Sequence, residues 1–392
     1  MKRIASLGGH GPTFYLAFLA SFLFFSSYHL LITPLPLFVE SMGGSATDVG
    51  LAGTTFAIAA LVTRPYMGRL VDTRGRKAAL LLGAAVFTLG PLAYVLVGSL
   101  LTFQVARMFH GIGMSAFTSA YLTLVADVTP PSRWGSALGL AGVAPSLSII
   151  LATPLGTVLL DHTSFTVVFL VSALLALAGF SVVLLIREPR GGDSALSGGE
   201  RPGVHLLDVA KLRGVISPSL AMATLGFSFG TVAAFLPLFA RDRDLGNVGL
   251  FFTALSLCIV VSKFGMGHLA DKVGRLTIVL PMFAILALSF FGLERSFSFS
   301  TLIVVAVIQG VGLGGARVGL ETILADAAPA RARGTAFSLL YLCFDVGIAL
   351  SGLIMGKVAD LAGYGQGYLL VGAVCLLTLA LFGAAMRKPA TP

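Results

Sequence analysis

The chain has 392 residues, 56% of them hydrophobic and only 11% charged, with a formal net charge of +9. Water-soluble domains carry about 25% charged residues, so this chain cannot cover its surface with polar groups and lipid must cover it instead. Its basic residues stand singly or in small clusters between apolar stretches. That spread excludes a nucleic-acid-binding face and fits loops held on one side of a membrane.

Lys2 and Arg3 precede an apolar run from Phe14 to Val39. The run exceeds the roughly 7–15 residues of a signal-peptide core and no small-residue cleavage site follows, so it reads as a retained first span. Further apolar segments fall near 50–67, 78–98, 101–125, 135–160 and 164–186. Each is long enough for one crossing, which needs about 20 residues. Gly, Ser and mixed charges between Arg187 and Arg213 mark a solvated linker. A second set of apolar segments follows near 215–240, 247–266, 277–293, 298–325, 334–357 and 366–386. The predicted architecture is an all-α membrane protein of twelve transmembrane helices. Residues 1–187 form an N-terminal six-helix half, 188–213 a cytoplasmic linker and 214–392 a C-terminal six-helix half.

If the N-terminus lies inside, inner loops and termini hold 18 of the 26 Lys and Arg residues; outer loops hold only Arg241, Arg243, Arg295 and Lys357. This asymmetry predicts an inner-membrane protein with both termini in the cytoplasm. Cys258, Cys343 and Cys375 are scattered through apolar stretches and read as small hydrophobes, with no metal-ligand spacing.

The two halves repeat. Gly68, Leu70, Asp72, Gly75 and Arg76 return 199 residues later as Gly267, Leu269, Asp271, Gly274 and Arg275. At the same offset Gly111, Gly113, Asp127, Pro130 and Gly135 return as Gly310, Gly312, Asp326, Pro329 and Gly334. Parallel repeats of this kind place a binding site at their interface near the bilayer midplane.

Gly68-Arg69-Leu70-Val71-Asp72-Thr73-Arg74-Gly75-Arg76-Lys77 lies in the short loop between spans 2 and 3. It closely resembles the loop signature of the major facilitator superfamily, and Gly267 to Arg275 echo it. Arg107-Met108-Phe109-His110-Gly111-Ile112-Gly113 in span 4 resembles a second pattern of that family, with His110 where glutamine is usual. The resemblance covers essentially the whole chain and points to the twelve-helix drug or metabolite:proton antiporter branch. It implies that Gly68, Asp72, Gly75, Arg76, Gly267, Asp271, Gly274 and Arg275 form inner-gate loops that lock one conformation. It also associates Arg107 with proton coupling. The span 5 glycine element of the exporter branch is only partly present around Ala144-Pro145 and Thr153-Pro154-Leu155-Gly156-Thr157, which leaves an importer of a small organic anion as the alternative.

Ionisable residues inside spans are expensive in hydrocarbon and are therefore site candidates. They are His29, Arg107, His110, Arg317, Glu321 and Asp345. Arg317 and Glu321 are one helical turn apart, and Asp345 falls near the midplane of span 11, which makes it the favoured proton carrier. Asp127 and Asp326 end spans 4 and 10 and read as partners of the loop cations. Phe25 and Tyr28 beside His29 are candidates to line an apolar pocket. Gly310-Val311-Gly312-Leu313-Gly314-Gly315 mimics a dinucleotide fingerprint but follows no strand, and small residues for close helix packing explain it better. No phosphate-binding loop or nucleophile elbow occurs, so neither an enzyme nor a cofactor is expected, and no metal. The expected partners are a small-molecule substrate, protons and the lipid bilayer, with the chain acting as a monomer. The expected activity is export of a small amphipathic or lipophilic compound by alternating access.

Overall fold

The computed structural model describes residues 11–130, 133–188, 211–329 and 332–387. Most of the 188–213 linker lies outside them, as do Lys2, Arg3, Arg190, Arg201, Arg331 and Lys388 from the orientation argument. The side chains of Gly267 and Asp271 lie outside as well.

Secondary structure among the described residues is helical. The helices are α1 (Pro12–Leu30), α2 (Pro34–Ser41), α3 (Ala46–Arg74), α4 (Arg76–Leu96), α5 (Leu100–Asp127), α6 (Trp134–Ala141), α7 (Val143–His162) and α8 (Phe165–Leu185). After the linker come α9 (Arg213–Asp242), α10 (Val248–Val273), α11 (Arg275–Glu294) and α12 (Phe299–Ala327). The last stretch holds two helices, α13 (Thr335–Ala362) and α14 (Tyr364–Met386), parted at Gly363, whose φ of 85° no helix can accommodate. Among the described residues, ten segments are long and apolar enough to cross a membrane, α1 with α2 counting as one and the end of α6 with α7 as another. The two remaining long helices are α5, which carries Arg107 and His110, and α10, whose apolar part is Val248–Ser262.

Local chemistry explains where the helices start. Ser99 accepts from the Thr102 amide while Thr102 returns a bond to Ser99, closing a capping box at the head of α5. Ser298 and Thr301 do the same for α12. Gly75 and Gly274, at φ 91° and 90°, turn the chain between α3 and α4 and between α10 and α11. Side chains with a Cβ rarely adopt that conformation. Every one of these positions is related to its counterpart by the 199-residue offset, so the repeat extends to caps and turns.

The chain forms two compact units, Met1–Leu35 with Thr55–Arg201, and Pro36–Thr54 with Pro202–Pro392. In the first unit Phe24 stacks between Phe87 and Phe117, each 3.9 Å away by ring centroid, inside an apolar core that includes Phe14, Phe56 and Tyr121. Gly111 presses α5 onto α3 so closely that a Cβ would sit 2.3 Å from the Phe56 carbonyl oxygen; Gly310 does the same to the Leu255 carbonyl at 2.5 Å in the second unit. Here too both partners obey the 199-residue offset. The second unit centres on Phe235, Phe239, Phe283, Phe290 and Tyr368, with Phe239 edge-on to Tyr368 at 5.1 Å. Large apolar side chains such as Leu89, Leu174, Leu288 and Leu381 point outward, where hydrocarbon rather than water suits them.

Candidate functional site

Each unit holds a cluster of polar side chains among its apolar helices, buried in the first unit and half-buried in the second. In the first unit, α5 carries Arg107, 6% exposed, and His110, fully buried, one turn apart. Arg107 donates to the Tyr94 hydroxyl of α4 at 3.3 Å, and its guanidinium lies 4.4 Å over the Phe56 ring. The same hydroxyl is hydrogen-bonded to His110 Nδ1, 2.7 Å away. His110 Nε2 is buried without a hydrogen-bond partner. An unmade bond of this kind costs about 1–3 kcal/mol.

His29, on α1, is similarly oriented. Ser148 of α7 spends its only proton on the Pro145 carbonyl at 2.7 Å, so its oxygen accepts from His29 Nδ1 at 2.6 Å. Tyr28 and Phe25 flank His29 at ring separations of 5.4 and 5.8 Å, and Tyr28 stacks on Phe56. Both flanking rings are half-buried, so this is an aromatic wall with two histidines set into it.

In the second unit, Arg317 Nε donates to Glu321 Oε1 at 2.9 Å within α12, and the Tyr341 hydroxyl of α13 donates to the same oxygen at 3.0 Å. The Arg317 guanidinium stands 5.4 Å from the Tyr341 ring and 5.5 Å from Phe344. Asp345 is half-buried one turn beyond Tyr341 on the same helix. Gln309, the repeat counterpart of His110, is 1% exposed and its Oε1 is likewise without a partner.

The signature loops form separate networks at the helix ends. Arg76 Nε donates to Asp127 at 2.7 Å, Lys77 reaches the Leu184 and Ile186 carbonyls, and the Lys77 amide bonds Glu188. Arg275 pairs with Asp326 and also donates to the Thr322 carbonyl at 2.7 Å. Asp127 and Asp326 thus serve their loops, whereas Asp72 is solvent-exposed. Among the described residues, no group of three or more His, Cys, Asp or Glu side chains is placed to hold a metal ion.

The profile of the Major Facilitator Superfamily matches residues 17–293 and 219–392. The chain belongs to that family. It is accordingly a multi-pass membrane transporter with the all-α facilitator fold. Among curated relatives, the staphylopine export protein of Staphylococcus aureus is 20% identical over 380 residues, 95% of each chain. The multidrug resistance protein MdtG of Klebsiella pneumoniae is 25% identical over 388 residues, covering 95% of this chain and 93% of that one. Among solved structures, a variant of the nucleoside transporter NupG aligns with a TM-score of 0.82 at 12% identity, over 96% of this chain and all of that one. A bacterial homologue of the human lysosomal transporter Spinster aligns at 0.77 and 16% identity, over 96% and 98%.

Within this facilitator, the structure brings Arg107 and His110 together through Tyr94, and pairs Arg317 directly with Glu321, to which Tyr341 also donates. Sequence reasoning missed both tyrosines and Gln309. The tyrosines were findable as rare hydroxyl-bearing residues in apolar spans, and Gln309 as the repeat image of His110.

Proposed function

We propose that the chain is a monomeric, proton-coupled exporter of a small amphipathic or lipophilic compound in the inner membrane, with both termini in the cytoplasm. The observation that carries this reading is the half-buried Arg317–Glu321–Tyr341 cluster with Asp345 one turn along α13. A carrier driven by protons needs a carboxylate inside the bilayer that exchanges its proton as access alternates, and Asp345 is positioned for that part. The aromatic wall of Phe25, Tyr28 and Phe56 suits an apolar or aromatic substrate, and His29 and His110 supply hydrogen bonds to it. Kinship to the staphylopine export protein favours the outward direction. The signature loops around Asp72 and Asp271 are assigned to gating at the cytoplasmic end. An importer of organic anions would need free cations in the site. Arg317 is instead tied to Glu321.

Thermal unfolding of the purified protein with a compound panel tests the substrate class. Amphipathic compounds such as ethidium are expected to raise the midpoint, since a ligand held at 100 times its Kd adds about 2.7 kcal/mol. A panel in which only small organic anions stabilise the protein would support the importer.

A further inference from the structure

The second unit contains a piece of chain from far upstream, and one carboxylate holds it there. Asp360, near the end of α13, accepts from the Ala46 amide at 2.8 Å through Oδ1. Its Oδ2 accepts from the Thr47 amide at 3.0 Å and the Thr47 hydroxyl at 2.5 Å. These are the first residues of α3, whose free amides and positive dipole end favour an anion. Asp360 therefore caps a helix that begins 314 residues earlier.

The same face of α13 continues the contact. Gly356 lies against Ala46 and Thr47, and Gly352 against Gly50, where a Cβ on either would overlap the other's backbone. Thr54 donates to the Ala349 carbonyl at 2.8 Å. Beside this seam Glu40 pairs with Arg241 of α9. Gly352, Gly356 and Asp360 recur every four residues, a single stripe along one helix face. After Thr54 the rest of α3 packs in the other unit.

We propose that Asp360 is a gating residue: a releasable cap that keeps the head of α3 on α13, so that breaking its three bonds frees Pro36–Thr54 and opens that end of the carrier. Alternating access requires contacts that form in one state and break in another. A seam made of capping bonds and backbone apposition suits repeated making and breaking. Its glycines permit the approach while the carboxylate sets its strength. The proposal does not depend on the direction of transport, only on facilitator-type alternation.

The test needs no substrate. With Cys258, Cys343 and Cys375 replaced by serine, a Thr54→Cys reporter at this buried position is reacted with a hydrophilic maleimide in nanodiscs, where both faces are open. Asp360→Ala is expected to speed labelling at least about fivefold, given what a lost cap costs a helix. A Ser99→Cys reference, already exposed, should not change. Thr47→Val, which removes the hydroxyl bond and leaves the amide, should speed labelling about twofold. It keeps the test alive if Asp360→Ala does not fold. Unchanged Thr54→Cys labelling in whichever of these variants folds would overturn the proposal.

Discussion

Asp345→Asn is expected to lower gradient-driven accumulation of substrate by at least about tenfold while leaving downhill exchange in place. The separation follows from the proposed coupling: exchange needs only a working site and alternation, whereas uphill movement also needs a proton to travel with each cycle. Glu321→Gln should behave differently, because Glu321 already receives bonds from Arg317 and Tyr341. Removing its charge strands a cation among Tyr341 and Phe344. Losing one partner of a fully buried ion pair costs about 3–5 kcal/mol. Both side chains here are about one-quarter exposed, so a cost of about 1–2 kcal/mol is expected. Glu321→Gln should therefore lower both the thermal midpoint and exchange. Exchange and uphill transport measured on both variants in proteoliposomes check this contrast, and an Asp345→Asn protein that still concentrates substrate would remove Asp345 from the coupling role.

Arg76→Met is expected to destabilise the protein by about 2–3 kcal/mol, and Arg275→Met by less than about 1 kcal/mol. The two arginines are repeat counterparts making the same ion pair, and burial is the main difference between the pairs. Arg76 and Asp127 side chains are 15% and 10% exposed, and Asp127 Oδ1 already lacks a partner. Without Arg76 that carboxylate is left buried and uncompensated. Asp326 is 60% exposed, so water replaces Arg275 at little cost. Arg76→Met/Asp127→Leu should recover most of the stability, because removing both charges removes the desolvation penalty as well. Chemical denaturation of the four proteins in detergent provides the comparison; equal losses from Arg76→Met and Arg275→Met would show that burial does not set the strength of these pairs.

The spans were legible because apolar runs of membrane length are hard to mistake. The repeat was legible because the residues that constrain backbone geometry cannot drift: Gly75 and Gly274 turn at positive φ, and Gly111 and Gly310 touch a carbonyl of the neighbouring helix. Arg317 and Glu321 could be paired from their i, i+4 spacing alone. What escaped are bonds between distant segments. Tyr94 meets His110 across α4 and α5, Tyr341 meets Glu321 across α12 and α13, and Asp360 meets Thr47 across 313 residues. A helix reveals which of its residues share a face, but not which residue of another helix that face will meet. Gly352, Gly356 and Asp360 share one such face of α13, and their spacing does not name the segment that packs on it.

In the proposed cycle, substrate leaves in exchange for protons entering. Everted membrane vesicles energised to be acid inside, loaded with a pH-sensitive dye, measure both fluxes together when ethidium is added. Ethidium is expected to accumulate in the vesicles while the acid gradient collapses in step, and both responses are expected to disappear in Asp345→Asn. Accumulation confined to right-side-out vesicles, or accumulation in everted vesicles with no movement of protons, would contradict it.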